Sequence, residues 1–319
     1  MPRPRSRPRI LLTRKWPSAC EARLAGDFDV TLRQDDTQMT AAEIRAAMQS
    51  HDAVCATVTD PMGAEAFAGG TRARIVGNYG VGVNHIDLGA ARAAGVAVTN
   101  TPDCLTEATA DLAVTLMLMV ARRAGEGERE LRAGGWTGWR PTHLVGRGLR
   151  GKVLGVVGMG RIGREVARIA RDGFGMRVVW WNRSDVGMAG RMDSLAALMA
   201  AADVVSLHVP GGAETDAMIG MAELEALGPA GILINTARGT VVDESALVAA
   251  LRQGRIGGAG LDVYAREPQV PEALRTREDV VLLPHLGSAV AEARVAMGMM
   301  VADALDAFFA GREVATRVA

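Results

Sequence analysis

The chain has 319 residues, enough for two domains of ordinary size; 49% of them are hydrophobic and 23% are charged. This composition is typical of a globular protein with a buried core. The 36 basic and 36 acidic residues give a formal net charge of +0, so no basic surface for nucleic acid is predicted.

Cysteine use and hydropathy exclude further classes of protein. Cys20, Cys55 and Cys104 are few and scattered, which argues against a disulfide framework and favours a reducing, cytoplasmic location. No group of side chains has metal-ligand spacing, so no metal is expected. No secretory signal follows the Arg- and Pro-rich start at residues 1–9. The longest apolar run, 112–121, is about half the length of a bilayer span, so we expect a buried helix and no membrane partner.

Short β-rich runs alternate with helical patterns along the chain, which is typical of parallel α/β sheets. The first part predicts strands at 10–13, 29–32, 53–57, 74–76 and 96–99, with helices at 41–48 and 88–94 and a long helix over 106–132. A second series begins at Lys152, with strands at 153–157, 177–181, 204–207, 232–235, 256–261 and 280–283. Its helices are predicted at 162–170, 194–200, 244–252 and 290–309. This number of strands suffices for a complete dinucleotide-binding sheet.

A glycine fingerprint joins the first strand and the first helix of the second series. Gly158, Gly160 and Gly163 have the spacing G-x-G-x-x-G directly after the apolar run 153–157. In dinucleotide-binding folds the first glycine allows the tight turn and the second lets the backbone approach the pyrophosphate. The third lets helix and strand pack closely. The spacing and its context therefore predict a dinucleotide at the amino end of this helix.

The next strand ends in Asn182, Arg183 and Ser184, at the point where NAD-binding domains place a carboxylate for the ribose 2′-hydroxyl. A guanidinium followed by a hydroxyl suits a 2′-phosphate, because arginine binds phosphate through a planar set of donors. NADP(H) is therefore favoured. NAD(H) stays open, since Asp185 is close enough to weaken the preference and Arg183 could be a solvated loop residue.

Three polar residues, Arg238, Glu267 and His285, each follow a predicted strand, where parallel sheets place ligands. Each alone is better explained as a surface or structural residue, but three on one sheet edge indicate a common site. Reduction of a 2-oxo acid needs a proton for the carbonyl oxygen, which histidine can supply, and a cation for the substrate carboxylate. A carboxylate such as Glu267 would favour the protonated imidazole.

With these motifs the chain resembles the D-isomer-specific 2-hydroxyacid dehydrogenase family, and within it the glyoxylate/hydroxypyruvate reductases. The residues that carry the resemblance stand in the family's order: 78–87 (NYGVGVNHID), 99–102 (TNTP), 105–107 (LTE), 158–163 (GMGRIG), 236–239 (TARG), 261–263 (LDV), 267–268 (EP) and 284–288 (PHLGS). One departure is Gly211-Gly212, where many members have Leu-Thr.

The resemblance implies that Arg238, Glu267 and His285 are the catalytic residues. It implies a substrate site made of Val81, Gly82, Arg238, His285, Ser288 and Trp139. Trp139 resembles a tryptophan that reaches the partner subunit's active site, with interface packing as the alternative. Fingerprint, strand tip and resemblance together predict that the cofactor site comprises Thr106, Gly158, Gly160, Arg161, Ile162, Gly163, Asn182, Arg183, Ser184, His208, Val209, Pro210, Thr215, Thr236, Ala237, Arg238, Asp262, His285 and Gly287. Asp262 would lie near the nicotinamide amide.

The resemblance also implies an architecture of two α/β domains, Rossmann-like or flavodoxin-like, each with a doubly wound parallel sheet, and a cleft between them. Residues 1–100 and 287–319 would form the substrate-binding (lid) domain, and residues 101–286 the NAD(P)-binding domain. A homodimer is expected through the helix after Thr106.

The expected reaction is the NAD(P)H-dependent reduction of glyoxylate or hydroxypyruvate to the D-2-hydroxy acid. Other functions on the same scaffold stay open: 2-ketogluconate reductase, phosphite dehydrogenase, or a non-catalytic NAD(P)-sensing co-repressor. Formate dehydrogenases use no such histidine–glutamate pair, so Glu267 argues against that activity.

Overall fold

The computed structural model describes residues 7–33 and 35–319. The interpretation of the first six residues as part of an Arg- and Pro-rich start lies outside the described residues. The chain divides into two compact units. Unit 1 consists of the described part of Met1–Leu105 together with Ala289–Ala319, and unit 2 is Thr106–Ser288. The sequence-based division at residues 100 and 287 lies within a few residues of these limits.

The described residues form two sheets in which all strand pairs are parallel. The strands are β1 (Arg9–Leu12), β2 (Asp29–Leu32), β3 (Ala53–Thr57), β4 (Ile75–Tyr79), β5 (Ala97–Thr99), β6 (Val153–Val157), β7 (Arg177–Trp181), β8 (Val204–Leu207), β9 (Ile232–Asn235), β10 (Gly258–Leu261) and β11 (Val280–Leu282). Helices flank both sheets. They are α1 (Ser18–Asp27), α2 (Ala41–Ser50), α3 (Leu88–Ala93), α4 (Thr106–Ala121), α5 (Ala124–Arg132), α6 (Arg161–Phe174), α7 (Leu195–Ala201), α8 (Met221–Leu227), α9 (Glu244–Arg252), α10 (Glu272–Arg275) and α11 (Ala291–Phe309).

These elements confirm the predicted α/β class. Strands β2, β3 and β6 to β9 and helix α9 have the predicted limits, and most other predicted elements shift by one to four residues at an end. The single long helix over 106–132 is wrong, because the chain breaks between α4 and α5. Arg123 there has a φ of +54°, a left-handed conformation that an α-helix does not contain. Helices α1, α8 and α10 lie between predicted strands, at positions for which the sequence analysis gives no bounds.

Unit 1 has the strand order β2-β1-β3-β4-β5. Helices α2 and α3 cover one face, where Ile44 and Met48 pack on Val54 and Val76, and α1 and α11 cover the other. The chain end lies beside β5, because the Val318 N–H donates to the carbonyl oxygen of Val98. Helix α11 packs on this first sheet through Met297, Val301 and Leu305.

Unit 2 has the strand order β11-β10-β9-β8-β6-β7. A single parallel bridge between Arg191 and Trp180 continues the sheet beyond β7. Helices α4 and α6 bury their apolar sides on one face, and α7, α8 and α9 on the other. Because β6 pairs with both β7 and β8, the direction of winding reverses next to β6, and ligands bind at such a switch point in open α/β sheets.

Hydropathy along the described helices gives no transmembrane candidate, since none of them is long and apolar enough to cross a membrane.

Helix α6 offers a matched test of the packing behind the glycine turn. A Cβ atom on Gly163 would collide with the carbonyl oxygen of Gly158, whereas one on Gly173 would meet no atom within 4 Å. We expect Gly163→Ala to lower the free energy of unfolding by about 1–3 kcal/mol through overpacking. Gly173→Ala should raise it by about 0.5–1 kcal/mol, because alanine favours the helix. Urea unfolding followed by circular dichroism measures both, and equal effects of the two substitutions would contradict the close packing.

Candidate active site

The turn after β6 approaches its neighbours very closely. Gly158 has a φ of +100°, and a Cβ atom there would lie 2.6 Å from the carbonyl carbon of His208. Gly163 packs directly on the Gly158 carbonyl oxygen. At Gly160, by contrast, a Cβ atom would meet nothing within 4 Å. Two of the three glycines are therefore required by contacts inside the protein, while the backbone at the middle one is open.

Helix α6 begins directly after this turn with Arg161 and Ile162. Its N-cap residue is Gly160, and no side chain caps the helix. The first-turn N–H groups and the positive end of the helix dipole are thus available to an anion. This is the arrangement that binds a pyrophosphate at the amino end of a helix.

The tip of β7 is bound to the glycine turn. The Met159 N–H donates to Oδ1 of Asn182 over 2.6 Å, so this side chain holds the turn in place. Arg183 and Ser184 are exposed beyond it. The carboxylate that contacts Arg183 is that of Glu214, while Asp185 faces Arg191 at 3.6 Å. The acidic side chain in direct contact with Arg183 is thus that of Glu214.

The loop after β8 carries His208, Val209 and Pro210. His208 Nε2 lies 2.8 Å from the Ser206 hydroxyl oxygen. Burial lowers the pKa of His208 to about 4, so its ring is neutral at pH 7. The Thr215 hydroxyl donates to the Pro210 carbonyl oxygen over 2.7 Å, which closes the loop. In this structure Thr215 thus shapes the predicted cofactor loop.

Strand β9 ends in Asn235, whose side chain shapes the turn that follows. Its Nδ2 donates to the Arg238 carbonyl oxygen over 2.9 Å, and its Oδ1 accepts from the Ala237 N–H over 3.0 Å. Thr236 Oγ1 is buried and has no hydrogen-bond partner among the described residues. Burial lowers the pKa of the Arg238 guanidinium, and the nearby charge of Glu267 opposes this effect.

Glu267 and His285 form a direct pair. His285 Nδ1 lies 2.8 Å from Glu267 Oε2, and the other carboxylate oxygen accepts from the Tyr264 N–H over 3.1 Å. Burial alone would raise the pKa of Glu267, but the hydrogen bond and charge of His285, the Tyr264 N–H and the Arg238 charge together hold it below its usual value. Glu267 is therefore an ionised acceptor, and Nδ1 of His285 carries the shared proton.

The Asp262 carboxylate fixes the backbone directly after the predicted proton donor, His285. Its two carboxylate oxygens accept from the N–H groups of Leu286 over 2.6 Å and Gly287 over 2.8 Å. The Thr109 hydroxyl from α4 donates to the Gly287 carbonyl oxygen over 2.9 Å. His285 is held in this turn with a left-handed φ of +54°. Burial raises the pKa of Asp262, although these N–H groups act in the opposite direction.

In unit 1, two asparagine side chains donate hydrogen bonds to the carbonyl groups of the loop after β4. Asn78 Nδ2 donates to the carbonyl oxygens of Gly80 over 2.9 Å and Gly82 over 3.1 Å. Asn100 Nδ2 donates to the Val81 carbonyl oxygen over 2.9 Å. No hydrogen bond of the Val81 or Gly82 N–H groups is found within residues 7–33 and 35–319. Successive free N–H groups of this kind form an anion-binding concavity.

The remaining predicted residues lie at several places. Thr106 is the first residue of α4, and Ser288 ends the turn held by Asp262. Trp139 is 82% exposed in the segment after α5. Sequence reasoning did not assign roles to Asn235, Thr109 and Glu214. A polar residue at the end of a buried strand was a usable signal for Asn235, whereas Thr109 and Glu214 make contacts with distant parts of the chain.

The carboxyl edge of the unit 2 sheet fits a dinucleotide. The uncapped helix α6 and the open backbone at Gly160 can accept phosphates, and the buried hydroxyl of Thr236 lacks a partner in the described part of the chain. The same edge carries Arg238, Glu267 and His285 after β9, β10 and β11. The imidazole–carboxylate pair and the guanidinium thus lie on the same sheet edge as the glycine turn.

Comparison with known proteins agrees with this arrangement. Residues 114–287 match the family described as D-isomer specific 2-hydroxyacid dehydrogenase, NAD binding domain. A glyoxylate reductase of Thermococcus litoralis is 40% identical over 96% of this chain and 95% of the relative. One of Korarchaeum cryptofilum is 42% identical over 96% and 94%. The crystal structure of an NADPH-dependent glyoxylate/hydroxypyruvate reductase of Sinorhizobium meliloti, in complex with NADP and malonate, has a TM-score of 0.89 and 39% identity, covering 98% of this chain and 97% of that one.

Fold, site and relatives define the class as an NAD(P)-dependent dehydrogenase. Within that class, the chain belongs to the D-isomer specific 2-hydroxyacid dehydrogenase family. The resemblance predicted from the sequence motifs is thereby confirmed.

The half-buried ring of His208, whose pKa is lowered by desolvation, predicts a loss of stability in acid. Its pKa of about 4 in the folded protein lies below the ordinary value of 6.5, so the unfolded chain binds the proton first as the pH falls. The contribution of the neutral His208 ring to the free energy of unfolding is complete above pH 6.5 and is lost as the pH falls through about 4. It amounts to up to about 3 kcal/mol. Between pH 7 and 4.5, His208→Gln should lose less unfolding free energy than the wild type in urea titrations. Identical losses in the two proteins would contradict the lowered pKa of the His208 ring.

Proposed function

We propose that this protein reduces glyoxylate and hydroxypyruvate to the corresponding D-2-hydroxy acids with NAD(P)H. The observation that carries the proposal is the 2.8 Å contact between His285 and Glu267 on the sheet edge that also bears Arg238. Support also comes from the named activity of the glyoxylate reductases that are about 40% identical over nearly the whole chain. A proton donor, its carboxylate partner and a cation are the groups that reduction of a 2-oxo acid requires.

In this proposal His285 is the general acid. Its Nδ1 is occupied by Glu267, so Nε2 is the ring nitrogen left to give a proton to the substrate carbonyl oxygen. The carboxylate of Glu267 accepts the hydrogen bond of Nδ1 and fixes the ring orientation. When bound, a reduced nicotinamide supplies the hydride to the carbonyl carbon.

Arg238 is proposed to bind the substrate carboxylate and to polarise the carbonyl group. Its guanidinium is half-buried, where a charge-assisted hydrogen bond is stronger than in water. The free N–H groups of Val81 and Gly82 are proposed to bind the carboxylate as well, because their carbonyl groups are fixed by Asn78 and Asn100. Ser288 is proposed as a further substrate contact.

The cofactor is proposed to bind through the glycine turn, the start of α6, the loop 208–215 and Thr236. NADP(H) is the proposed preference, supported by the guanidinium of Arg183 and the hydroxyl of Ser184 beyond β7, where the 2′ position of the adenosine ribose lies in such folds. Asp262 is proposed to lie near the nicotinamide amide while it holds the turn at Leu286 and Gly287.

A cytoplasmic homodimer is also proposed. The three cysteines are all unpaired, which suits a reducing compartment. Four large apolar side chains are exposed in and after α5: Leu131, Trp136, Trp139 and Val145. Such a concentration of exposed apolar side chains is typical of a protein interface, and it supports a partner contact through this segment.

Replacement of His285 tests the proposed reaction. His285→Gln should lower kcat with glyoxylate by about 10²–10⁴-fold, the range for loss of a general acid, and should change the Kd of NADPH little. His143→Gln is the matched control, because His143 also pairs with a glutamate, Glu130, at 2.7 Å. It should keep kcat within about twofold. Full activity of His285→Gln between pH 5 and pH 9 would refute the assignment of His285 as the acid.

A further inference from the structure

An ion pair joins the two loops that flank the glycine turn. Arg183 lies beyond β7 and Glu214 lies in the loop after β8, and Arg183 Nη1 donates to Glu214 Oε2. The two residues are 31 positions apart in the chain. Strand β6 lies between β7 and β8 in the sheet, so this pair connects the loops on either side of the turn that the dinucleotide needs.

The other charged groups near the tip of β7 are engaged elsewhere. Asp185 accepts from the Gly187 N–H over 2.9 Å and faces Arg191 at 3.6 Å. Among the contacts of the described residues, the acidic partner of Arg183 is therefore Glu214. Both side chains are largely exposed, at 78% and 77%, so a ligand can reach them from solvent.

Hydrogen bonds inside the loop that carries Glu214 fix its backbone. The Thr215 N–H donates to the Gly212 carbonyl oxygen over 2.9 Å, and the Thr215 hydroxyl binds the Pro210 carbonyl oxygen. Gly212 has a φ of +133°, which suits glycine at this bend. The Glu214 backbone thus follows a closed turn, while its side chain extends to Arg183.

The two forms of the cofactor differ at the group that such a pair would meet. NADP carries a 2′-phosphate, which needs the guanidinium and is repelled by a neighbouring carboxylate. NAD carries a 2′-hydroxyl, for which a carboxylate is the usual acceptor in these folds. An arginine paired with a glutamate therefore presents one group suited to each cofactor.

We propose that Glu214 is a specificity-determining residue that competes with the 2′-phosphate for Arg183 and so limits the preference for NADP(H) over NAD(H). This inference rests on the proposed function, because it assumes that the 2′ position lies at Arg183. NADPH must displace the Glu214 carboxylate to bind Arg183, whereas NADH leaves the pair in place. Because exposed ion pairs contribute little, the effect on affinity is about two- to fivefold.

Equilibrium binding to the purified full-length protein, without substrate, tests this inference. The Kd values of NADPH and NADH are measured by nicotinamide fluorescence at about 0.05 M salt, where surface charges are weakly screened. Glu214→Gln should lower the Kd of NADPH about two- to fivefold and keep the Kd of NADH within about twofold of the wild-type value. The gain should shrink at about 0.5 M salt and vanish in the Arg183→Ala background.

Glu225→Gln is the matched control, since Glu225 is also exposed and faces an arginine, Arg255, at 3.7 Å. It should change neither Kd, which separates the local effect from a loss of net charge. An unchanged NADPH affinity in Glu214→Gln, or the same gain without Arg183, overturns the role of Glu214. If Arg183→Ala weakens NADPH selectively in that case, the proposed NADP(H) preference survives. If Arg183→Ala affects both cofactors equally, the preference and this inference fail together.

Discussion

The buried carboxylate of Asp262 is the constraint on which the proposed chemistry depends. It accepts two backbone N–H groups from the residues directly after His285, so the chain leaves β11 in a turn of fixed shape. That turn holds His285 in a left-handed conformation and presents its Nδ1 to Glu267. Without the two hydrogen bonds the turn would have to find other partners for buried groups, at a cost of several kcal/mol. The position of the proton donor is thus set by a residue that need not touch the substrate carbonyl.

Charge is distributed unevenly along this sheet edge, and the balance between burial and nearby donors or charges explains the pattern. Arg238 and Glu267 lie close enough for each charge to affect the other, and both effects favour the ionised forms. Glu267 has a lowered pKa because three donors or positive charges surround it, whereas burial raises the pKa of Asp262. The edge therefore presents one firmly ionised carboxylate to His285 and a cation to an incoming anion. Those are the electrostatic requirements of a site that binds a 2-oxo acid and gives it a proton.

Much of the fold could be predicted because parallel strands are buried on both faces. Continuous apolar runs such as 153–157 and 232–234 are unambiguous for that reason, and each is followed by a glycine turn or a polar residue. The same rule placed Arg238, Glu267 and His285 on one edge. The break after Ala121 was missed because arginine is a good helix former, and nothing local requires the left-handed conformation of Arg123. Sequence distance hid the pair of Arg183 and Glu214, because Glu214 lies in the loop after β8, 31 positions along the chain, and β6 separates β8 from β7 in the sheet.

The most direct test of the central claim follows the hydride and the configuration of the product. Hydroxypyruvate is reduced with NADPH that carries deuterium at the transferable position of C4, and the product is analysed by mass spectrometry and chiral chromatography. The proposed reaction predicts D-glycerate with a single deuterium on C2. Formation of L-glycerate, or a protein that binds NADPH and reduces neither hydroxypyruvate nor glyoxylate, would contradict it.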